Sequence, residues 1–204
     1  MLIEGRVEDL SPLLVNLNLN GLSVAAIADR FLCPAMRRVG EQWYRGKLSV
    51  AAEHVATRTA MEGLERLRTV QGVAENSSLL ALCCSAEGDY HELPVQLAAV
   101  MLETHGFEVF TLGASTPFFA LAEAVGRFRP QLVCVAATVP LNLERAVRDY
   151  AQFHKLAQRI GASIVLGGAG FLDAQVRKRL PADLHAESFK QLEDFIGPII
   201  QDES

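Results

Sequence analysis

Two periodicities divide this chain. Over residues 1–70 the apolar positions recur at helical spacing, whereas beyond residue 78 short apolar runs alternate with amphipathic stretches. In the first part Leu13, Leu14, Leu17 and Leu19 mark an opening helix. Leu22 to Arg30 forms a short apolar helix with Ser23 as its N-cap. Pro34 suits the first turn of a third helix, which runs to Tyr44 and ends at Arg45-Gly46. Ser49 caps a fourth, from Val50 to Val70, whose Val50, His54, Thr57, Met61, Leu64 and Leu67 keep to one helical stripe. Short connections between them predict a four-helix bundle.

Residues 71–78, Gln-Gly-Val-Ala-Glu-Asn-Ser-Ser, carry a glycine and no periodicity and read as a linker. The runs at 79–84, 107–112, 131–137, 162–167 and 183–186 have the length and composition of buried strands. Helical stretches at 92–105, 117–128, 141–160, 171–180 and 188–200 separate and follow them. This βαβα rhythm predicts an α/β domain over residues 79–204, a flavodoxin-like (Rossmann-like) five-stranded parallel sheet with helices on both faces. There is no internal repeat and no low-complexity segment.

Composition narrows the class. Half of the 204 residues are apolar and 21% are charged, enough for an ordinary core. A net charge of −5 argues against direct nucleic-acid binding. No run reaches the ~18 apolar residues of a membrane span, and no secretory pattern opens the chain, so a cytoplasmic location is expected. Cys33, Cys83, Cys84 and Cys134 lack metal-type spacing and read as reduced cysteines, three of them within apolar runs.

In such a sheet the loops after the strands' C-terminal ends share one edge, where ligands bind. Three meet there. The first holds Asp89, His91 and Pro94, the second Ala136, Ala137, Thr138 and Pro140, and the third is Gly167-Gly168-Ala169-Gly170. A carboxylate two residues before a histidine can bond one ring nitrogen and leave the other for a metal. Asp89 could equally cap the next helix, and His91 could be merely solvated. The glycines admit a ligand close to the backbone, or serve a tight turn. The string is not a phosphate loop, since no Lys-Ser/Thr follows it.

Asp89-Tyr90-His91-Glu92-Leu93-Pro94, followed by Ala136-Ala137-Thr138 and by Gly167-Gly168, resembles the cobalamin-binding family, whose motif is Asp/Glu-x-His-x-x-Gly, then Ser-x-Leu or a relative, then Gly-Gly. The family often places a helical bundle before the sheet domain, so the resemblance spans nearly the whole chain. It implies that His91 is the lower axial ligand of cobalt, with the cofactor's own benzimidazole displaced into a channel beside the sheet. Asp89 would orient His91, Glu92, Leu93, Ala136 and Thr138 would border the cofactor, and Gly167 and Gly168 would line the channel. Two departures stand out. Pro94 replaces the motif's first glycine, and Ala136 replaces its serine, with Thr138 a partial substitute.

In the helical half Trp43 is followed after nine residues by Glu53-His54. From spacing alone Trp43 fits a bundle core, Glu53 compensates a helix N-terminus, and His54 lies on the apolar stripe. The Trp-x9-Glu-His spacing also resembles the light-sensing cobalamin regulators of the CarH type, repressors with a MerR-like DNA-binding domain. By that resemblance Trp43, Glu53 and His54 border the upper cofactor face beside a deoxyadenosyl group. Residue 1 lies almost at the bundle, so a stand-alone sensor or a separately expressed piece is expected. Tyr44 stands where some of those photoreceptors carry a cobalt-capturing histidine.

The resemblance therefore implies a non-enzymatic cobalamin sensor. It would use adenosylcobalamin foremost, with methylcobalamin or hydroxocobalamin as further forms, and act through a homo-oligomer or a protein partner. A corrinoid carrier of a methyltransferase system, and a degenerate domain that binds haem or another tetrapyrrole, are the alternatives. His105 at a helix end, His154 on a helix surface, His185 by the last strand and Arg177-Lys178-Arg179 at a helix end read as structural or solvated.

Overall fold

The computed structural model describes residues 1–72 and 78–202. The chain divides into two compact units, Met1–Val73 and Ala74–Ser204. Of the expected linker, residues 73–77 lie outside the described residues.

The first unit is helical. After a 3-10 turn at Leu2–Glu4 come α1 (Val7–Leu19), α2 (Val24–Ile27), α3 (Cys33–Tyr44) and α4 (Val50–Gln71). Ser23 and Ser49 cap α2 and α4, their hydroxyls accepting from the N–H of Ala26 and of Ala52 at 3.2 Å. Pro34 does not open a new helix. A π-helical stretch, Ala28–Leu32, joins α2 to α3, and the residues at its two ends keep right-handed helical angles. Pro34 removes one N–H from the helical ladder, and the wider π turn just before it absorbs that loss.

The buried face of α4 is Ala56, Thr59, Ala60, Gly63, Leu64 and Leu67. Small residues fill its middle and let α1 approach. A Cβ at Gly63 would lie 2.9 Å from Leu10 Cδ2. The expected stripe is thus rotated at its start, with Val50 exposed and His54 outside the core.

The second unit is a five-stranded parallel sheet: β1 (Leu79–Ala86), β2 (Phe107–Thr116), β3 (Leu132–Ala136), β4 (Ser163–Gly167) and β5 (Leu184–Ala186). The helices are α5 (Leu93–Thr104), α6 (Phe118–Phe128), α7 (Leu143–Ile160), α8 (Ala174–Arg179) and α9 (Phe189–Asp202). The strand order, β2-β1-β3-β4-β5, is that of the flavodoxin-like fold. Right-handed crossovers put helices on opposite faces where the winding reverses. On one face α6, α7 and α8 cover Leu82, Val133, Val135, Ile164 and Leu166. Phe118, Tyr150 and Phe153 pack there with ring centroids 4.9–5.7 Å apart. On the other, α5 packs on β1, β2 and β3 and against α9. The inner strands are buried on both faces, which explains their unbroken apolar runs. Among the described residues no helix is long and apolar enough to cross a membrane.

The winding reverses between β1 and β3. The loops after these two strands therefore flank the crevice where folds of this kind bind ligands.

Candidate functional site

The loop after β1 is built around a turn. Asp89 N–H donates to Ala86 O at 2.9 Å, and Gly88, third residue of that turn, takes φ +82°. A side chain is strained at such a position, so glycine is required there. The turn points the Asp89 carboxylate inward, and the residue is only 1% exposed.

Every hydrogen bond to the Asp89 carboxylate comes from an N–H. Oδ1 accepts from His91 Nδ1 at 2.6 Å and from the His91 backbone N–H at 2.9 Å. Oδ2 accepts from the backbone N–H of Thr138, in the loop after β3. Burial pushes the Asp89 carboxyl up. The bonds from the His91 ring, the Thr138 N–H and the His91 N–H outweigh it and hold the group below the usual carboxylate range. Asp89 is thus an anionic acceptor. His91 Nδ1 then carries the proton, which makes Nε2 the basic nitrogen of the ring. The His91 side chain is 53% exposed although its partner is sealed.

Asp89 does not cap α5. Glu92 occupies the N-cap position without a side-chain bond, and Pro94 sits in the first turn. Ser85, on β1 and fully buried, donates its hydroxyl to the His91 carbonyl at 2.8 Å. Backbone and ring of His91 are therefore both fixed. Glu87 pairs with Arg145 of α7 at 2.5 Å on the flank of this loop.

The loops after β3 and β4 are laced together. Ala137 N–H donates to Gly167 O at 2.9 Å and Gly170 N–H to Ala137 O at 2.8 Å. Gly168 takes φ +99°, and a Cβ there would lie 2.5 Å from the Ala137 carbonyl oxygen. At Gly170 a Cβ would collide with the Val139 carbonyl oxygen. Gly167 is different, since a Cβ would make only ordinary contacts, at 3.6 Å from Ala186 O. Loop packing requires Gly168, whereas among the described residues nothing stands in the way of a Cβ at Gly167. Thr138 is exposed and Ala136 half-buried, while Leu93 is buried and Glu92 half-buried.

Of the residues the sequence singled out in this unit, Asp89, His91 and Thr138 are joined directly, and Gly167 and Gly168 reach them through Ala137. Sequence reasoning missed Ser85, Gly88 and Ser115. Ser115 accepts from Gly88 N–H through Oγ at 3.1 Å, and its own N–H donates to Asp89 O at 2.9 Å. Only Gly88 carried a signal, a Glu-Gly-Asp turn after a strand.

In the helical unit Trp43 lies in the last turn of α3 and is 47% exposed, so it is not a bundle-core residue. Glu53, in the first turn of α4, accepts from Thr57 Oγ1 at 2.9 Å and lies 3.2 Å from His54 Nδ1. The His54 side chain is 70% exposed.

The remaining histidines have structural partners. His105 Nδ1 donates to Met101 O at 2.8 Å, His185 Nε2 donates to Leu180 O at 3.0 Å, and His154 packs on Tyr150. Arg177 and Arg179, in the last turn of α8, pair with Glu187 and Glu144.

Among the described residues no three His, Cys, Asp or Glu side chains converge to hold a bare metal ion. The Asp89–His91 pair presents one oriented imidazole.

Comparison with known proteins identifies the family. A family profile described as B12 binding domain matches residues 79–188, more than half of the chain, and a second of the same description matches residues 1–68. The chain is 32% identical over 161 residues to the HTH-type transcriptional repressor CarA of Myxococcus xanthus, covering 76% of this chain but 54% of CarA. It thus spans about half of that repressor's length. It is 25% identical over 171 residues to trimethylamine corrinoid protein 1 of Methanosarcina acetivorans, covering 82% of this chain and 79% of that one. In fold it resembles the monomethylamine corrinoid protein of Methanosarcina barkeri, with a TM-score of 0.77, 18% identity, and coverage of 97% of this chain and 94% of the other. The chain belongs to the B12-binding domain family, and cobalamin is the ligand that membership supports.

Proposed function

We propose that this member of the family is a cobalamin-binding regulatory module in which His91 would hold the cobalt of the cofactor. The Asp89–His91 pair carries the reading. A buried, anionic carboxylate fixes the proton on Nδ1 at 2.6 Å, which orients Nε2 and would raise its strength as a donor to the metal. The bound cofactor supplies a cobalt–carbon bond that light or a partner can break.

The residues around it have distinct tasks. Asp89 keeps the imidazole in one tautomer. Ser85 fixes the His91 carbonyl, and the Thr138 N–H fixes the second carboxylate oxygen. In the helical unit Trp43 carries an exposed indole and Glu53 a half-buried carboxylate. Loss of the adenosyl group would shift the chain between two states, which an oligomer or a protein partner reads. No turnover is assigned to the chain, and any DNA contact belongs to another segment or to a partner. The 32% identity to a CarA repressor supports the regulatory assignment.

The test is reconstitution with adenosylcobalamin in the dark, then illumination, followed by absorbance and by mass from light scattering. The expected result is a spectral change accompanied by a change in mass. Absence of both overturns the reading.

A second reading, a corrinoid carrier serving a methyltransferase, is supported by the match to trimethylamine corrinoid protein 1 over most of that protein's length. In that case the chain loaded with methylcobalamin would pass its methyl group to a methyltransferase partner, and light would leave its mass unchanged.

A further inference from the structure

The C-terminal end of β2 is irregular in a way the sheet does not need. Its pairing with β1 runs in register from Leu79–Phe107 to Cys83–Thr111. It then slips twice, so that Cys84 faces Gly113 and Ala86 faces Thr116. Each slip is a bulge, which bends a strand and re-aims the residues beyond it. Gly113 takes φ +79° within this stretch. Ser115 takes φ +52°, a left-handed conformation that costs any residue with a Cβ and that glycine would adopt freely.

Two bonds show what the strained serine gains. Its N–H donates to Asp89 O at 2.9 Å, and its Oγ accepts from Gly88 N–H at 3.1 Å. Together they grip the Gly88 and Asp89 backbone from the β2 side. Asp89 N–H is held from the β1 side by Ala86 O at 2.9 Å. A glycine at position 115 would keep the backbone bond and lose the one through Oγ.

We propose that Ser115 is a positioning residue, which clamps the Gly88–Asp89 turn so that the Asp89 carboxylate meets His91 Nδ1, and thereby sets how tightly the site holds a cobalt corrinoid. The inference rests on His91 being the lower ligand. It extends the supporting shell of that ligand to a third strand, through the Ser115 hydroxyl and N–H gripping the backbone of the Gly88–Asp89 turn.

The test is titration of hydroxocobalamin into the full chain and its Ser115→Gly, Ser115→Ala and Ser115→Asn variants, each also in a His91→Ala background. Absorbance gives both affinity and the fraction of cobalt carrying imidazole. Ser115→Gly relieves the left-handed strain, so its thermal midpoint should hold or rise. Its affinity should nonetheless fall about three- to tenfold, the size of one neutral hydrogen bond, with a smaller imidazole-bound fraction. Ser115→Ala should lose affinity similarly. Ser115→Asn should recover it, since asparagine tolerates this conformation and carries an acceptor. In the His91→Ala background Ser115→Gly should cause no further loss.

Wild-type affinity and spectrum in Ser115→Gly would overturn the proposal. So would a loss that persists undiminished without His91, because the residue would then act on the fold generally. Failure of the underlying reading is seen separately. If His91→Ala alone leaves the cobalt spectrum unchanged, His91 is no ligand and both claims fall.

Discussion

Asp89→Asn separates the electrostatics of the site from its shape. The carboxylate accepts three N–H groups, two from His91 on Oδ1 and one from Thr138 on Oδ2, in a place closed to water. Asparagine has one acceptor oxygen. If that oxygen faces His91, the new amide N–H group meets the Thr138 N–H, donor against donor. Flipped, the amide abandons both His91 donors. Either way the buried side chain at position 89 is left with an unmatched polar group, which costs about 1–3 kcal/mol of stability in the cofactor-free protein. The ring also loses the anion that held its proton on Nδ1. Changes to such partners of a metal-binding histidine weaken metal binding about 10- to 100-fold, equivalent to about 1.4–2.8 kcal/mol. Urea unfolding of the free protein measures the first quantity, and absorbance titration with hydroxocobalamin the second. Wild-type affinity in Asp89→Asn would refute the reasoning, because the anion would then contribute nothing to the donor strength of His91.

The same carboxyl gives a pH dependence. Its native pKa lies below the unfolded value, so its contribution is complete above the unfolded pKa of about 3.9 and is lost as pH falls through the native value. Urea midpoints should show the stability gap between wild type and Asp89→Asn closing as pH drops below about 4; a gap constant with pH would contradict this. Gly168→Ala places a Cβ 2.5 Å from a backbone oxygen at φ +99° and should cost more than about 2 kcal/mol, whereas Gly167→Ala should cost under about 1 kcal/mol, both by urea unfolding. Equal effects would show that the loops yield. Gly63→Ala sets an overpacking cost of about 1–3 kcal/mol against a helix-propensity gain of about 1 kcal/mol, so a net loss of up to about 2 kcal/mol is expected in thermal unfolding, and stabilisation would mean that Leu10 moves aside.

The change of hydrophobic period near residue 78 was enough to read the order of strands and helices, because buried parallel strands and amphipathic crossovers leave unlike patterns. Pro34 misled: a local rule marks it as a helix start, yet the π turn before it lets the helix run through. The face of α4 was misjudged at its start because alanine and glycine, weak markers of burial, form the seam with α1. Asp89-x-His91 was readable as a local pair. Its third partner was not, since the Thr138 N–H lies 49 positions on and a backbone group has no sequence signature. Ser115 was equally silent, for its left-handed backbone depends on two bulges set by pairing with β1. Trp43 drew attention through the resemblance carried by Trp-x9-Glu-His, since spacing alone fitted a bundle core, and its exposure is what separates it from an ordinary core indole.

One imidazole, held by one buried carboxylate, is in this reading the protein's bond to cobalt. Its most direct test is the absorbance spectrum of hydroxocobalamin bound to wild type and to His91→Ala at the same pH. Wild type should give an imidazole-ligated cobalt spectrum. His91→Ala should return to cobalt without protein imidazole, with weaker binding. Identical bound spectra for the two proteins would contradict the assignment of His91 as the ligand.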